Sequence, residues 1–488
     1  MKPNHTDAPA PRRMALWVAG PVLAIAITTV GYEARPGLNW FLSIAAIALS
    51  LAVLERPSPR ALASQRYVAV GVAVGLSSLL AVTADALLQS LLALAIAVLG
   101  AVVVRLGAGL APGELGPAQC LATPWQATRL TASAASRVVG DGLRTVGEGR
   151  AIAPLRGTAA AAAIVMVFGG LLAEADPTLA AARDSIVHAV TSLSGIGRVG
   201  VCTALAFGLV GFLGVACHCA GNPRAGGAGR ASPAVHTDTE RLIILGTVAA
   251  LFAVFLLLQA PYLFENPGAR AGSGVTFAAA VHRGFIEITI VASLTAGIVL
   301  LLDRRAARGP RETAVRIVGY LVLLECVLLL GSAWLRLDAY EGAYGYTLPR
   351  TYVRGYVLAL AVTLLMLAAE LRAGVDPARF CWRLGMVAVA ALAALAIGNP
   401  GAWVVRANAE RYIASGRMDW DYLAQTGPDG LPTLAHLLPR LTVPEQARVT
   451  ETLRASGWRP GAPDRWFEWN LHRSMARGAR QAITHESP

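Results

Sequence analysis

The sequence predicts an all-helical polytopic transmembrane bundle with a small helical C-terminal soluble appendage, and three observations predict it. Of 488 residues, 55% are hydrophobic and 15% charged, where a soluble domain carries about 25% charged residues. Apolar runs of about 17 to 23 residues, the length that crosses a bilayer as a helix, recur along most of the chain. The arginines collect between those runs, where the positive-inside rule uses them to set orientation.

In order, Lys2, Arg12 and Arg13 precede an apolar run from Met14 to Gly31. That pattern resembles a signal peptide, but the further spans behind it favour an uncleaved first helix. A second run covers Leu38 to Leu54, and the basic loop of Arg56, Arg60 and Arg66 follows. A hairpin from Tyr67 to Val104 then turns near Asp85. This alternation puts the N-terminus and the arginine loop in the cytoplasm. The stretch from Arg105 to Arg156 is polar, with Pro112, Pro117 and Pro124. Within it Arg129, Arg137, Arg144 and Arg150 recur about every two helical turns, which aligns them on one side of a helix suited to anionic inner-leaflet lipids. Runs near 157–173, 199–217, 242–264, 284–302, 314–334, 353–371 and 381–398 bring the expected count to about eleven spans. An odd count leaves the C-terminus extracytoplasmic. Trp40, Trp334, Trp382 and Trp403 fall at or near span ends, where an indole sits with its ring in lipid and its N–H in the headgroups. After Asn399 the hydropathy drops, and Pro428, Pro432, Pro439 and Pro444 punctuate short helical patterns.

A net charge of +12 raises nucleic-acid binding as a class. However, Lys2 is the only lysine, and the arginines lie where topology needs them, so no nucleic-acid partner is expected. Cys202 and Cys326 lie within apolar runs and Cys120, Cys217, Cys219 and Cys381 flank others, which suits small buried hydrophobes better than a disulfide framework. Cys217, His218 and Cys219 are too close in sequence to converge on one ion from a helix, and no second ligand pair follows at zinc-site spacing. No metal or cofactor is expected. A Walker loop, a dinucleotide-binding glycine fingerprint at a strand-to-helix junction, HExxH and GxSxG are all missing from the sequence, which disfavours ATP-driven transport by this chain alone.

Charge inside a span is the most informative feature, because an ionised group at the bilayer centre costs about 2.5 to 3.5 kcal/mol on insertion scales. Glu325 sits in the middle of LVLLECVLLL. It is read as a proton-carrying site or as half of an interhelical ion pair. His282, Arg283 and Glu287 open another run, with Arg283 and Glu287 four apart on one face; Arg283 is placed to satisfy Glu287 or Glu325, or else to snorkel to headgroups. The segment from Arg336 to Arg350 gathers Asp338, Glu341, Tyr340, Tyr344, Tyr346 and Arg350 in a re-entrant or extracytoplasmic turn. Such a set suits a polar head, a cation or acid–base chemistry, and equally a tyrosine-rich interfacial belt. Glu174 and Asp176 close the fifth run, as an acidic rim or as caps for the next helix.

Four stretches taken in order, FGGLLAEADPTLA, GVTFAAAVHRGFIEI, LDAYEGAYGYTLPRTYV and NPGAWVVRANAERY with DWDYLAQTGPDGLPTL, resemble an uncharacterised bacterial integral-membrane family catalogued only as a domain of unknown function, number four-one-seven-three or its relative four-one-five-three. The resemblance covers about two thirds of the chain against the spans counted above. It implies a polytopic protein of the bacterial cytoplasmic (inner) membrane and brings no reaction, substrate or cofactor. With it the chain divides into N-terminal helices plus a basic surface segment (1–156), a family-like membrane core (157–398) and an extramembrane region (399–488).

The function expected first is transport or handling of a small solute, with Glu325, His282, Arg283, Glu287 and Asp338 around a shared polar pocket and Glu341, Tyr344, Tyr346 and Arg350 beside it. An alternative is a non-catalytic envelope sensor or assembly protein that meets partner proteins through its C-terminal region. A further one is an enzyme that acts on a lipid-linked substrate through Asp338 and Glu341.

Overall fold

A computed structural model gives the fold and describes residues 10–55, 57, 64–147, 193–216, 237–264, 291–302, 311–424, 426–455 and 464–485. All described elements are helical. They are α1 (Ala10–Gly31), α2 (Leu38–Glu55), α3 (Gln65–Leu79), α4 (Ala86–Gly107), α5 (Pro117–Gly147), α6 (Leu193–Ala216), α7 (Asp238–Phe264) and α8 (Val291–Leu302). The chain continues with α9 (Glu312–Tyr344), α10 (Leu348–Leu371), α11 (Pro377–Gly398), α12 (Pro400–Ser415), α13 (Trp420–Ala424), α14 (Gly427–Leu437), α15 (Val443–Ala455) and α16 (Leu471–His485).

Six of the described helices are long and apolar enough to cross a membrane: α2, α4, α6, α9, α10 and α11. Shorter apolar helices occupy Val18–Gly31 and Val291–Leu302. The expected run at 157–173 lies outside the described residues. Local chemistry sets the ends. Asp85 accepts from the Leu88 N–H at 2.8 Å to start α4, and Asp376 accepts from Ala378 and Arg379 to start α11. Proline in the first turn of α10, α11 and α12 gives up an N–H that has no helical partner there.

The spans pack around two separate cores. One joins α1, α2, α3, α4, α6 and α11 through Leu16, Leu51, Leu88, Leu92, Leu213 and Ala396. The other joins α7, α8, α9 and α10 through Leu245, Val299, Leu329, Leu364 and Leu367. The polar interlude forms the amphipathic helix α5, whose Ala127 and Ala134 pack on Val104 and Val215 at the ends of α4 and α6. Leu121 and Trp125 remain exposed on it, as do Arg129 and Arg137.

The structure changes one expectation. The segment after Trp334 is helix and not a re-entrant turn: α9 runs on to Tyr344, and the turn shrinks to Gly345–Thr347. Nothing between Arg336 and Tyr344 breaks a helix, whereas Gly345 adopts φ +87°, a conformation glycine enters without strain. A Cβ at Gly345 would also press on Asn408 Oδ1.

The C-terminal region has its own small core of Val405, Trp420, Leu423, Leu434 and Val449. It sits against the 32–37, 80–85 and 345–347 turns, which therefore share one end of the bundle.

Candidate functional site

Expected site residues separate into a mid-span acid and a rim cluster. Glu325 lies well inside α9, 6% exposed, and its Oε2 has no hydrogen-bond partner among the described residues. Cys326 beside it is fully buried in the second core. Asp338 lies on the same helix thirteen positions later, about 20 Å farther along the axis at 1.5 Å per residue. The two carboxylates therefore do not share one pocket. His282, Arg283, Glu287, Glu174 and Asp176 lie outside the described residues.

The rim cluster forms where α9 meets α10. Asp338 and Glu341, three apart on α9, both turn to Arg354 of α10. Arg354 donates to Asp338 Oδ1 at 2.8 Å and through Nε to Glu341 Oε2 at 2.7 Å, and its guanidinium lies 4.6 Å from the centre of the Trp334 ring. Glu341 is fully buried, and its Oε1 has no partner among the described residues. Arg350 stacks 4.3 Å from the centre of the Tyr340 ring and donates to the Gly345 carbonyl, while Tyr344 packs against Tyr340. One arginine bridges the two carboxylates here, which suits a fixed corner better than acid–base turnover.

Tyr346 leaves this cluster for the C-terminal region. It meets the edge of Trp403, and its N–H and carbonyl both pair with the Asn408 amide at 3.0 and 2.8 Å. The Leu348 N–H donates to the Tyr422 hydroxyl at 2.6 Å, and Arg411 donates to the Gly342 and Ala343 carbonyls. Burial raises the Tyr422 phenol above the ordinary tyrosine range, which keeps it neutral.

A second polar knot, absent from the expected set, forms at the α3–α4 turn. Asp429 is 3% exposed and accepts from Thr83 Oγ1 at 3.0 Å, from the Ala84 N–H at 2.8 Å and from the Asp85 N–H at 3.0 Å. His472 Nδ1 lies 2.8 Å from its Oδ1. Asn470 donates to the Leu80 and Thr83 carbonyls, and Gln89 also donates to Thr83. Donors of this kind at the start of a helix have no partner within it, and here the distant Asp429 supplies one. Asn399, left-handed at φ 47°, bonds the Asp429 carbonyl through Nδ2 while its Oδ1 caps α12 at Ala402.

The C-terminal region thus holds a turn from each of the two cores, through Asp429, Asn470 and His472 on one side and Asn408, Arg411 and Tyr422 on the other. At the opposite end of α10, buried Glu370 ion-pairs with Arg379 and Arg383 of α11. Sequence reasoning named none of Arg354, Glu370 and Asp429. The available signal was the pair of motif stretches beginning NPGAW and DWDYL, which contain Asn399, Asn408, Tyr422 and Asp429.

Two cavities of about 660 and 580 Å³ border α4 and α6; apart from Thr128 and Thr131 the side chains around them, such as Ile44, Leu51, Ile96, Leu205 and Phe212, are apolar or small, and neither reaches Glu325 or the rim cluster. Among the described residues no three His, Cys, Asp or Glu side chains gather as a metal site. No curated protein and no solved structure matches this chain. A family model described as Domain of unknown function (DUF4153) matches residues 70–437, from α3 to the end of α14, so the rim cluster and Asp429 both fall within it. The chain is a membrane protein by its apolar helices and belongs to the DUF4153 family.

Proposed function

We propose that this protein moves or holds a small solute or ion across the bacterial cytoplasmic (inner) membrane, with Glu325 as its intramembrane ionisable group. One observation carries this reading: a buried carboxylate in the middle of an apolar span with an oxygen that has no partner among the described residues. Such a group is costly to keep in a span unless it exchanges a proton or a ligand. In this reading His282, Arg283 and Glu287 serve the same path, the N-terminus is cytoplasmic, and the C-terminal region is extracytoplasmic, opposite the Arg56–Arg66 loop. Exposed Arg129, Arg137, Leu121 and Trp125 on α5 then suit anionic lipids of the inner leaflet. The test is proton entry into proteoliposomes driven by a potassium diffusion potential and read by a trapped pH dye. Wild type is expected to pass protons and Glu325→Gln to lose that flux while its melting temperature is kept. Equal flux in the two, or none in wild type, overturns the reading.

A second reading, an envelope sensor or assembly protein that works through residues 399–488, is favoured by the grip of that region on a turn from each core. It expects Asp429→Ala to change the set of envelope proteins crosslinked in cells without changing proton flux. An unchanged set removes it.

A further inference from the structure

The C-terminal region carries an exposed apolar edge. Trp466 is 69% exposed, Trp469 43%, Leu471 36% and Met475 50%. Leu471 and Met475 lie four apart on α16 and so share one face. His472 and Ala476, one position on, face inward and are buried. Arg473 and Arg477 occupy the far side of the helix, where Asp464 holds both, Arg477 at 3.0 Å. The helix therefore has three faces: one packed on the protein, one charged, and one apolar and exposed.

The height of this edge relative to the spans is fixed by backbone bonds. The Trp469 carbonyl accepts from the N–H of Leu38, the first residue of span α2, at 2.9 Å. Gly37 lies so close to the Glu468 and Trp469 backbone that a Cβ there would collide with it. The N–H groups of Leu471 and His472 donate to the Ala81 and Val82 carbonyls in the α3–α4 turn. The edge thus sits level with the ends of α1, α2, α3 and α4, and it adjoins the start of α2, on which Leu42, Leu49 and Val53 are exposed. Tryptophan is enriched at that depth in membrane proteins, and an amphipathic helix with aliphatic and basic faces lies in the interface plane.

We propose that Trp466, Trp469, Leu471 and Met475 insert into the lipid headgroup and acyl boundary of the leaflet on the side away from the Arg56–Arg66 loop. The occupant of this edge is lipid because backbone bonds hold it beside the first residue of a span whose exposed side chains are apolar, at the depth where headgroups meet acyl chains. Inserted there, the C-terminal region is held from a third direction, by the bilayer as well as by the two polar knots.

The test compares wild type with W466F/W469F, which keeps the apolar surface and removes two fluorophores. Both are reconstituted in phosphatidylcholine vesicles with and without brominated acyl chains. The emission lost between wild type and variant is expected to be blue-shifted, to lose most of its intensity in brominated lipid and to resist acrylamide. Emission quenched by acrylamide and not by bromine overturns the proposal in favour of a water-facing edge. Resistance to both quenchers overturns it in favour of cover by a second copy or another protein.

Discussion

The middle of the bundle and its ends treat buried acids differently. At the ends, Glu341 and Glu370 are 0% and 3% exposed, and arginines from the next helix take them: Arg354 for the first, Arg379 and Arg383 for the second. In the middle, Glu325 is 6% exposed, and no arginine pairs with it among the described residues. An arginine near a span end keeps its stem in lipid and reaches water with its head, so a pair there is cheap to build. A mid-span arginine lacks that option. The comparison separates acids that hold helices together from an acid available for exchange.

The largest test of that contrast is Arg354→Ala. It strands buried Glu341 and is expected to cost about 3 to 5 kcal/mol, the loss typical of breaking one side of a buried pair. Thermal unfolding in detergent reads this, and a drop restored by Glu341→Gln in the same chain would show that the stranded charge causes it. An unchanged melting temperature would place Glu341 among the exchangeable acids. Next comes Asp429→Ala, which leaves Thr83, Ala84 and Asp85 donors buried without an acceptor. A buried unsatisfied donor costs about 1 to 3 kcal/mol. The expected result is faster proteolytic release of the C-terminal region with the spans intact.

A smaller effect is set by pH. Glu468 is held down to about 2, first by the Arg465 side chain and then, against burial, by the Arg465 and Arg35 N–H groups. Because its value is depressed in the fold, the stabilisation is complete above the ordinary 4.5 and fades as pH falls toward about 2. Hydrogen exchange at residues 464–472 should rise through that window, and Glu468→Gln should flatten the change.

The membrane class, the bounds of α2, the turn before α4 and the ends of α10 and α11 were readable because hydrophobic length is a local signal, whereas α10 and α11 start at Leu348 and Pro377, ahead of the expected 353 and 381. Glu325 was readable for the same reason, as one acid in a run of apolar neighbours. Arg354 was not singled out because an arginine seven residues into a span-sized run, at the start of α10, looks like any interfacial arginine until α9 is packed beside it. Asp429 was less readable still. In sequence it is an acidic residue in a proline- and glycine-rich stretch, and its partners at Thr83 and His472 are 346 and 43 residues away. The helical continuation through Asp338 and Glu341 was missed because two carboxylates, three tyrosines and two arginines read as a turn between spans. The ion pair to Arg354 turns that polar face inward.

The smallest expected effect on stability belongs to Glu325→Gln, and it sharpens the comparison most. If Glu325 held helices together as Glu370 does, removal of its charge would lower the melting temperature, as Glu370→Gln is expected to do by leaving Arg379 and Arg383 without their carboxylate. With no partner for its second oxygen among the described residues, Glu325 loses little when it becomes an amide, and burial of a neutral group costs less than burial of a charge. Melting temperatures of the two variants measured side by side in detergent should therefore diverge, with Glu325→Gln equal to or above wild type and Glu370→Gln below it. A matching drop in both would place an arginine against Glu325 and make it a third structural pair.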